Sequence, residues 1–243
     1  GSNAVVTDNI TGANIAPFSF GTFTNPTALA LPANQGTYPV KMWVELTGDT
    51  YNADDSAGSK AGAALFMPGK KILVEEATGT WCGWCPRGAV YMDSIDHTYP
   101  SNFTLVAVHN RDPMTVTAYD SYVRGKIGGY PSVLVDRREV LDPSDLLDVY
   151  TNENEYFGFA DMSISDLGAS SFNLSVKVSV KPALDLTGDY RLALVLTENN
   201  VVGQTSGGTW DQHNYYSNQV NNIPLVGAGH NWQTEPSQVA GPD

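Results

Sequence analysis

The two cysteines of this 243-residue chain stand three apart, as Cys82-Gly83-Trp84-Cys85. Thiols at that spacing can exchange disulfides, with one thiolate attacking and the other resolving. They can also supply half of a zinc site or close a small structural disulfide. Zinc needs further ligands. There is no third cysteine, and His97, His109, His213 and His230 show no H-x-x-x-H spacing, so neither a metal nor any other cofactor is expected. A bridge closing only four residues gives little loop-closure stabilisation, which makes a purely structural role inefficient, although it stays open. The flanking residues favour exchange. Lys71 to Glu76 is an apolar strand pattern, and Pro86 to His97 places Ala89, Met92 and Ile95 on one helical face. The pair therefore falls at a strand-to-helix junction, where unpaired N–H groups and the helix dipole favour a thiolate. Cys82 is expected at the cap as the attacking thiolate, Cys85 as the resolving thiol, and Pro86 is tolerated in the first turn.

Three zones must position this pair. Residues 5–67 hold short β-like runs; in Tyr38 to Leu46 the residues Val40, Met42, Val44 and Leu46 share one face, the mark of a half-buried strand. Ala61 to Met67 reads as another strand, and the zone as part of a sandwich. Residues 68–158 alternate strand and helix: after the cysteine helix come a strand at Phe103–Val108, a short helix at Tyr119–Lys126 and a strand at Pro131–Asp136. Asp142-Pro143 then caps a last helix through Leu146, Leu147 and Tyr150. Such alternation implies a sheet with helices on its faces. Residues 159–243 return to β, with five apolar residues on one face of Phe172–Val180 and further strands at Tyr190–Thr197 and around Val201-Val202. This zone reads as a C-terminal sandwich-like domain whose closing element lies past the end of the sequence. Gly1-Ser2-Asn3-Ala4 reads as an expression remnant.

The sequence Trp81-Cys82-Gly83-Trp84-Cys85 after an apolar strand resembles the redox motif of the thioredoxin superfamily. Gly129-Tyr130-Pro131-Ser132, 49 residues beyond Cys82, resembles that family's Gly-x-Pro-Thr segment. The resemblance implies a cis Pro131 beside the sulfurs that helps to bind the substrate chain, with Trp81, Trp84 and Tyr130 shaping the contact surface. It also implies a buried carboxylate that relays protons to the resolving thiol. Glu76, six residues before Cys82, is the first candidate and Glu75 the competitor. Trp84 stands where the family usually has proline, and Tyr130 is bulky enough to crowd the sulfurs. The run Val74-Glu75-Glu76-Ala77-Thr78-Gly79-Thr80-Trp81-Cys82-Gly83-Trp84-Cys85-Pro86-Arg87-Gly88 is similar to the outer-membrane-protein-28-related lipoproteins of Bacteroidetes. That similarity implies an exported, periplasmic or surface protein, lipid-anchored through a removed N-terminus, with an immunoglobulin-like domain ahead of the thioredoxin-like one. The expected fold is thus an α/β thioredoxin-like domain flanked by β-sandwich-type segments. Its expected partners are protein thiols or disulfides, or a surface protein or glycan if the β segments are a binding module and the Cys pair is structural.

Composition narrows the partners further. With 13 Lys+Arg against 26 Asp+Glu, the net charge of −13 argues against nucleic acid and anionic membrane surfaces, which require clustered cations. No apolar run approaches the roughly 20 residues of a membrane-spanning helix. His109, at a strand end, reads as a polar terminator rather than a general base. The loop with Asp49, Asn52, Asp54 and Asp55 lacks the EF-hand spacing and reads as solvated. Trp210, Tyr215 and Tyr216 lie in or beside a Gly/Asn-rich stretch and read as core aromatics at a sandwich edge, with sugar stacking the alternative.

Overall fold

The computed structural model describes residues 5–11, 14–32, 34–51, 53, 55–153, 158–171, 173–184, 188–201, 203, 209–219 and 224–241. Asn52 and Asp54 of the acidic loop, Phe172, Val202 and the Gly207-Gly208 pair lie outside these. In chain order the elements are β1 (Gly36–Trp43), β2 (Ser56–Ala63), β3 (Ile72–Thr78), α1 (Pro86–Thr98), β4 (Phe103–His109), α2 (Thr117–Arg124), β5 (Ser132–Val135), β6 (Glu139–Leu141) and α3 (Leu146–Glu153). Then follow β7 (Ala160–Ser170), β8 (Asn173–Pro182), β9 (Asp211–His213), β10 (Val226–Gly227), β11 (His230–Asn231) and β12 (Gln238–Ala240). The chain divides into two compact units, one of residues 1–68 and 159–189, the other of residues 69–158 and 190–243. Residues 190–243 therefore group with the strand–helix zone, not with 159–189 as one C-terminal β domain.

In the first unit β1 pairs antiparallel with β2, and β7 with β8 across a bulge between Ile164 and Asp166. Its two sequence segments meet where Leu65 N–H donates to the Ala183 carbonyl at 3.2 Å and Ala183 N–H donates to Phe159 O at 3.0 Å. Of the face expected to be half-buried, Val40 is half-buried, whereas Met42, Val44 and Leu46 are 58%, 61% and 70% exposed. β1 ends at Trp43, beyond which Val44 N–H still donates to Asp55 O at 2.9 Å, and among the described residues each hairpin is a two-stranded ladder. Among the described residues Tyr190 to Thr197, also expected as a strand, is not in one, and Tyr190, Leu192, Leu194 and Leu196 are exposed.

The second unit is built on a four-stranded sheet in the order β4-β3-β5-β6. β3 runs parallel to β4 and antiparallel to β5, which pairs antiparallel with β6. The parallel pair needs a crossover, and α1 provides it. Every second residue of β3 faces one side. Ile72 and Val74 join Met92 and Ile95 of α1, Phe103, Val133 and Val135, and Leu146 and Val149 of α3. On the opposite face Ala77 joins Val108 and Val123 of α2, with Tyr119, Ile127 and Tyr130 around them. Asp142 starts the last helical stretch as expected: its carboxylate accepts from Ser144 N–H, and Pro143 follows in the first turn. The same carboxylate takes Arg87 Nη2 at 2.6 Å, which ties that cap to α1.

The β5–β6 hairpin was not visible in the sequence. Its three-residue turn, 136–138, is closed by Arg138 N–H donating to Val135 O at 2.9 Å and carries Asp136 and Arg137 at φ +46° and +58°, the two left-handed residues of a type I′ turn, without the Asn-Gly that usually announces one. The turn aims Arg137 at Glu75, a fully buried carboxylate of β3. Arg137 Nε lies 3.1 Å from both Glu75 oxygens and Nη2 lies 2.8 Å from one. The Tyr119 hydroxyl also donates to Glu75. Burial, and then the adjacent carboxylate, push the Tyr119 phenol up to about 12. Arg137→Gly should relieve a left-handed backbone that costs about 1 kcal/mol for a non-glycine residue. It also strips a buried carboxylate of its cation, which costs roughly 3–5 kcal/mol. The expected net loss is about 2–4 kcal/mol in urea unfolding. Unchanged or higher stability would show that the ion pair does not hold the hairpin.

Candidate functional site

The chain leaves the C-terminal end of β3 and reaches α1 through residues 79–85. Two turns shape this loop: Cys82 N–H donates to Gly79 O at 2.9 Å, and Cys85 N–H donates to Cys82 O at 3.0 Å. Cys82 and Cys85 are joined in a disulfide with Cα atoms 5.3 Å apart. The helix cap is Cys85, with Pro86 at the first helical position. That corrects the expectation of Cys82 at the cap. Proline has no N–H to lose there and sets the first helical residue, so Cys82 sits in the preceding turn. Both cysteines are buried, at 4% and 2% exposure.

The first half of the loop is held from the end of β4. Asp112 accepts Thr80 N–H and Met114 N–H, both at 3.0 Å, and His109 Nδ1 at 2.7 Å. Burial raises the Asp112 carboxyl, but these donors, led by His109, outweigh it and hold the group below its ordinary range. His109 thus ends its strand as a polar partner to the loop anchor. Asn110 contributes its carbonyl to Trp81 Nε1 at 2.5 Å, while its amide reaches both oxygens of buried Asp120 on α2 at 2.9 Å.

Trp81 packs edge-on against Tyr130, with ring centroids 5.3 Å apart, and the Tyr130–Pro131 bond is cis. The structure therefore brings the Gly-Tyr-Pro segment to the cysteine loop. Tyr130 also packs against the Ala77, Val108 and Val123 cluster. The two glutamates part by strand parity. Glu75 faces α2 and is spent on Arg137 and Tyr119. Glu76 faces α1 beneath Gly88, one turn into the helix from Cys85: a Cβ at Gly88 would lie 1.8 Å from Glu76 Oε1.

The other side of the loop is covered by residues that the sequence reading did not assign to the site. His213 N–H donates to Thr80 O at 2.7 Å, and Tyr215 N–H donates to Gly83 O at 2.9 Å. Gln212 Nε2 reaches Cys82 O at 2.8 Å. Thr80 Oγ1 returns a hydrogen bond to Thr209 O at 2.9 Å. Trp84 meets Tyr215 and Tyr216 edge-on, at 5.5 and 5.3 Å. Tyr216 is a core residue, as the sequence suggested. Its core, however, is a small one with Val90 of α1, Trp232 and Val239, not a sandwich edge. The aromatic cluster was the one available signal, and nothing local says which surface it meets.

No protein-family model matches this chain, and no curated protein matches it. Among solved structures, HBP35 of Porphyromonas gingivalis is similar over 41% of this chain and 40% of its own, with 20% identity and a TM-score of 0.34. A structural-genomics protein of Agrobacterium tumefaciens is similar over 41% of this chain and 54% of its own, with 18% identity and a TM-score of 0.31. The shared part thus spans about half or less of either neighbour. Among the described residues no helix is long and apolar enough to cross a membrane.

Two measurements check this geometry. Gly→Ala inside a helix normally stabilises by about 1 kcal/mol. At Gly88 the added methyl runs into the buried Glu76, so Gly88→Ala should destabilise by about 1–3 kcal/mol, with stability recovered when Glu76→Ala is added. A stabilised single variant would place Glu76 elsewhere. The second concerns acid. A carboxyl whose folded pKa is depressed contributes stability above its unfolded value, near 3.9, and loses it as pH falls through the folded value. Asp112→Asn should therefore cost about 1–2 kcal/mol at neutral pH and flatten the loss of stability below about pH 4. Parallel acid-unfolding curves for variant and wild type would rule Asp112 out as the anchor.

Proposed function

We propose that this chain is an exported thiol–disulfide exchange protein whose second unit contains a thioredoxin-like domain. The observation that carries the reading is the Cys82–Cys85 disulfide placed between the C-terminal end of β3 and the first turn of α1. In a sheet with helices on both faces, that end of a central strand is where reactive groups collect. The helix N-terminus favours negative charge on sulfur. A closed disulfide is also what an oxidising compartment maintains.

In the reduced protein the Cys82 thiolate attacks one sulfur of a substrate disulfide. That bond breaks, its electron pair leaves on the other substrate sulfur, and a mixed disulfide forms. The Cys85 thiolate then attacks the Cys82 sulfur, releasing the second substrate thiolate and closing Cys82–Cys85. Two electrons pass to the substrate, and the released thiolates take protons. In this reading Glu76, buried beneath the first turn of α1, receives the proton of Cys85. Trp81, Trp84, Tyr130 and Pro131 form the rim that meets the substrate chain. Run in reverse, the same steps oxidise a substrate dithiol.

The burial of both cysteines supports a second reading, in which the bridge is structural and the β-rich unit binds a surface glycan or protein. The reduction potential separates the two. A value between about −120 and −270 mV, with turnover of insulin disulfides, supports exchange, whereas a value well below about −300 mV without turnover supports a structural bridge. The roles within the pair are tested by trapping. Cys85→Ser should accumulate mixed disulfides with protein substrates and Cys82→Ser should not; equal trapping by both would overturn the assignment.

A further inference from the structure

The cysteine loop has a cover made from the same chain. Residues 209–216 run along it and occupy three of its backbone carbonyls, those of Thr80, Cys82 and Gly83, with donors from His213, Gln212 and Tyr215. Tyr215 lies so close to Gly83 that a Cβ there would stand 2.4 Å from the ring. Behind this contact the segment is moored away from the loop. β9 pairs with β12, Asn214 donates to the carbonyls of Trp232 and Pro236, and Tyr216, Trp232 and Val239 bury themselves on Val90. The mooring is a packed core, whereas the contact with the loop is a row of hydrogen bonds and the edge-on packing of the exposed Trp84 on Tyr215 and Tyr216. Of the two attachments, the second is the one that can open locally.

A thiolate must approach a disulfide sulfur directly to displace its partner, and here both cysteines are nearly closed to solvent. We propose that residues 209–216 form an access gate. Exchange at Cys82–Cys85 proceeds from a state in which the loop-facing groups of this segment, the Gln212 side chain, the His213 N–H and Tyr215, have parted from the loop while Asn214 and Tyr216 keep their mooring. The proposal rests on the exchange reading above. In that open state an incoming thiolate bonds to the Cys82 sulfur as the Cys82–Cys85 bond breaks, with the electron pair leaving on Cys85. A second thiol of the same reductant then displaces Cys82, so one dithiol is oxidised as the protein disulfide is reduced. Because the gate acts on access, it changes the rate of exchange and leaves the equilibrium between the oxidised and reduced pair alone.

The test is the rate at which dithiothreitol reduces the full-length protein, measured beside its midpoint potential. The double variant Gln212→Ala, Tyr215→Ala loses a side-chain hydrogen bond and the ring contacts. It should be reduced about tenfold faster or more, with an unchanged potential. Thr80→Val, which removes only the hydrogen bond to Thr209 and keeps side-chain shape, should be reduced about threefold faster; it carries the test should the double variant lose its fold by circular dichroism. Wild-type rates in both folded variants would overturn the gate. So would a rate gain matched by an equal gain in the equilibrium constant for reduction, since the segment would then be stabilising the oxidised form. Insulin turnover separates this proposal from its premise. Its absence in wild type and opened variants alike would overturn the exchange reading, whereas turnover with unaltered dithiothreitol rates would overturn the gate alone.

Discussion

A carboxylate inside a sheet must find a cation, a set of donors or a way out, and β3 carries two such groups in succession with both faces of the strand covered. Alternation sends them to opposite sides. Glu75 is met by a guanidinium delivered from a hairpin turn and by a phenol from α2, so that one residue ties together the central strand, the edge hairpin and a helix. Glu76 meets the helix that carries Cys85, and only a glycine at position 88 leaves room for it. The position of α1 over the sheet, and so that of the cysteines at its mouth, depends on how Glu76 is accommodated beneath Gly88.

Around that junction the loop is held from two directions. On one side the end of β4 supplies Asn110 and Asp112, which grip Thr80 and Trp81 by backbone and ring N–H groups. On the other, a segment from far along the chain lies over Cys82 and Gly83. The first attachment is built into the sheet. The second is added to it by donors to the carbonyls of Thr80, Cys82 and Gly83. Reactivity at such a site depends on how the loop is covered as much as on thiolate character.

The strand–helix framework was legible because its signals are local. The apolar run of β3, the spacing of Met92 and Ile95, the Asp142-Pro143 cap and the segment around Pro131 each report on their own neighbourhood. Parity within β3 even separates Glu75 from Glu76 once the faces are known. The β5–β6 turn was not legible, because Asp136 and Arg137 adopt positive φ under tertiary support and not from intrinsic preference. The cap was misplaced by one turn because the proline, not the first cysteine, sets where α1 begins. In the β-rich unit the alternation of Val40, Met42, Val44 and Leu46 is real. Alternation, however, records only which residues share a face, and the burial expected of that face needs a covering layer that the pattern itself does not supply.

Gln212 and Cys82, which share a hydrogen bond, are 130 residues apart in the chain. The sheet and its helices close through nearer neighbours, and contacts of long sequence separation are the slower ones to form. During synthesis from the N-terminus, the cysteine loop is therefore complete well before the segment that lies over it has left the ribosome. Until that late segment exists, the carbonyls of Thr80, Cys82 and Gly83 have no partner from it, so the loop's framework is made first and its last hydrogen bonds are added to a shape already set.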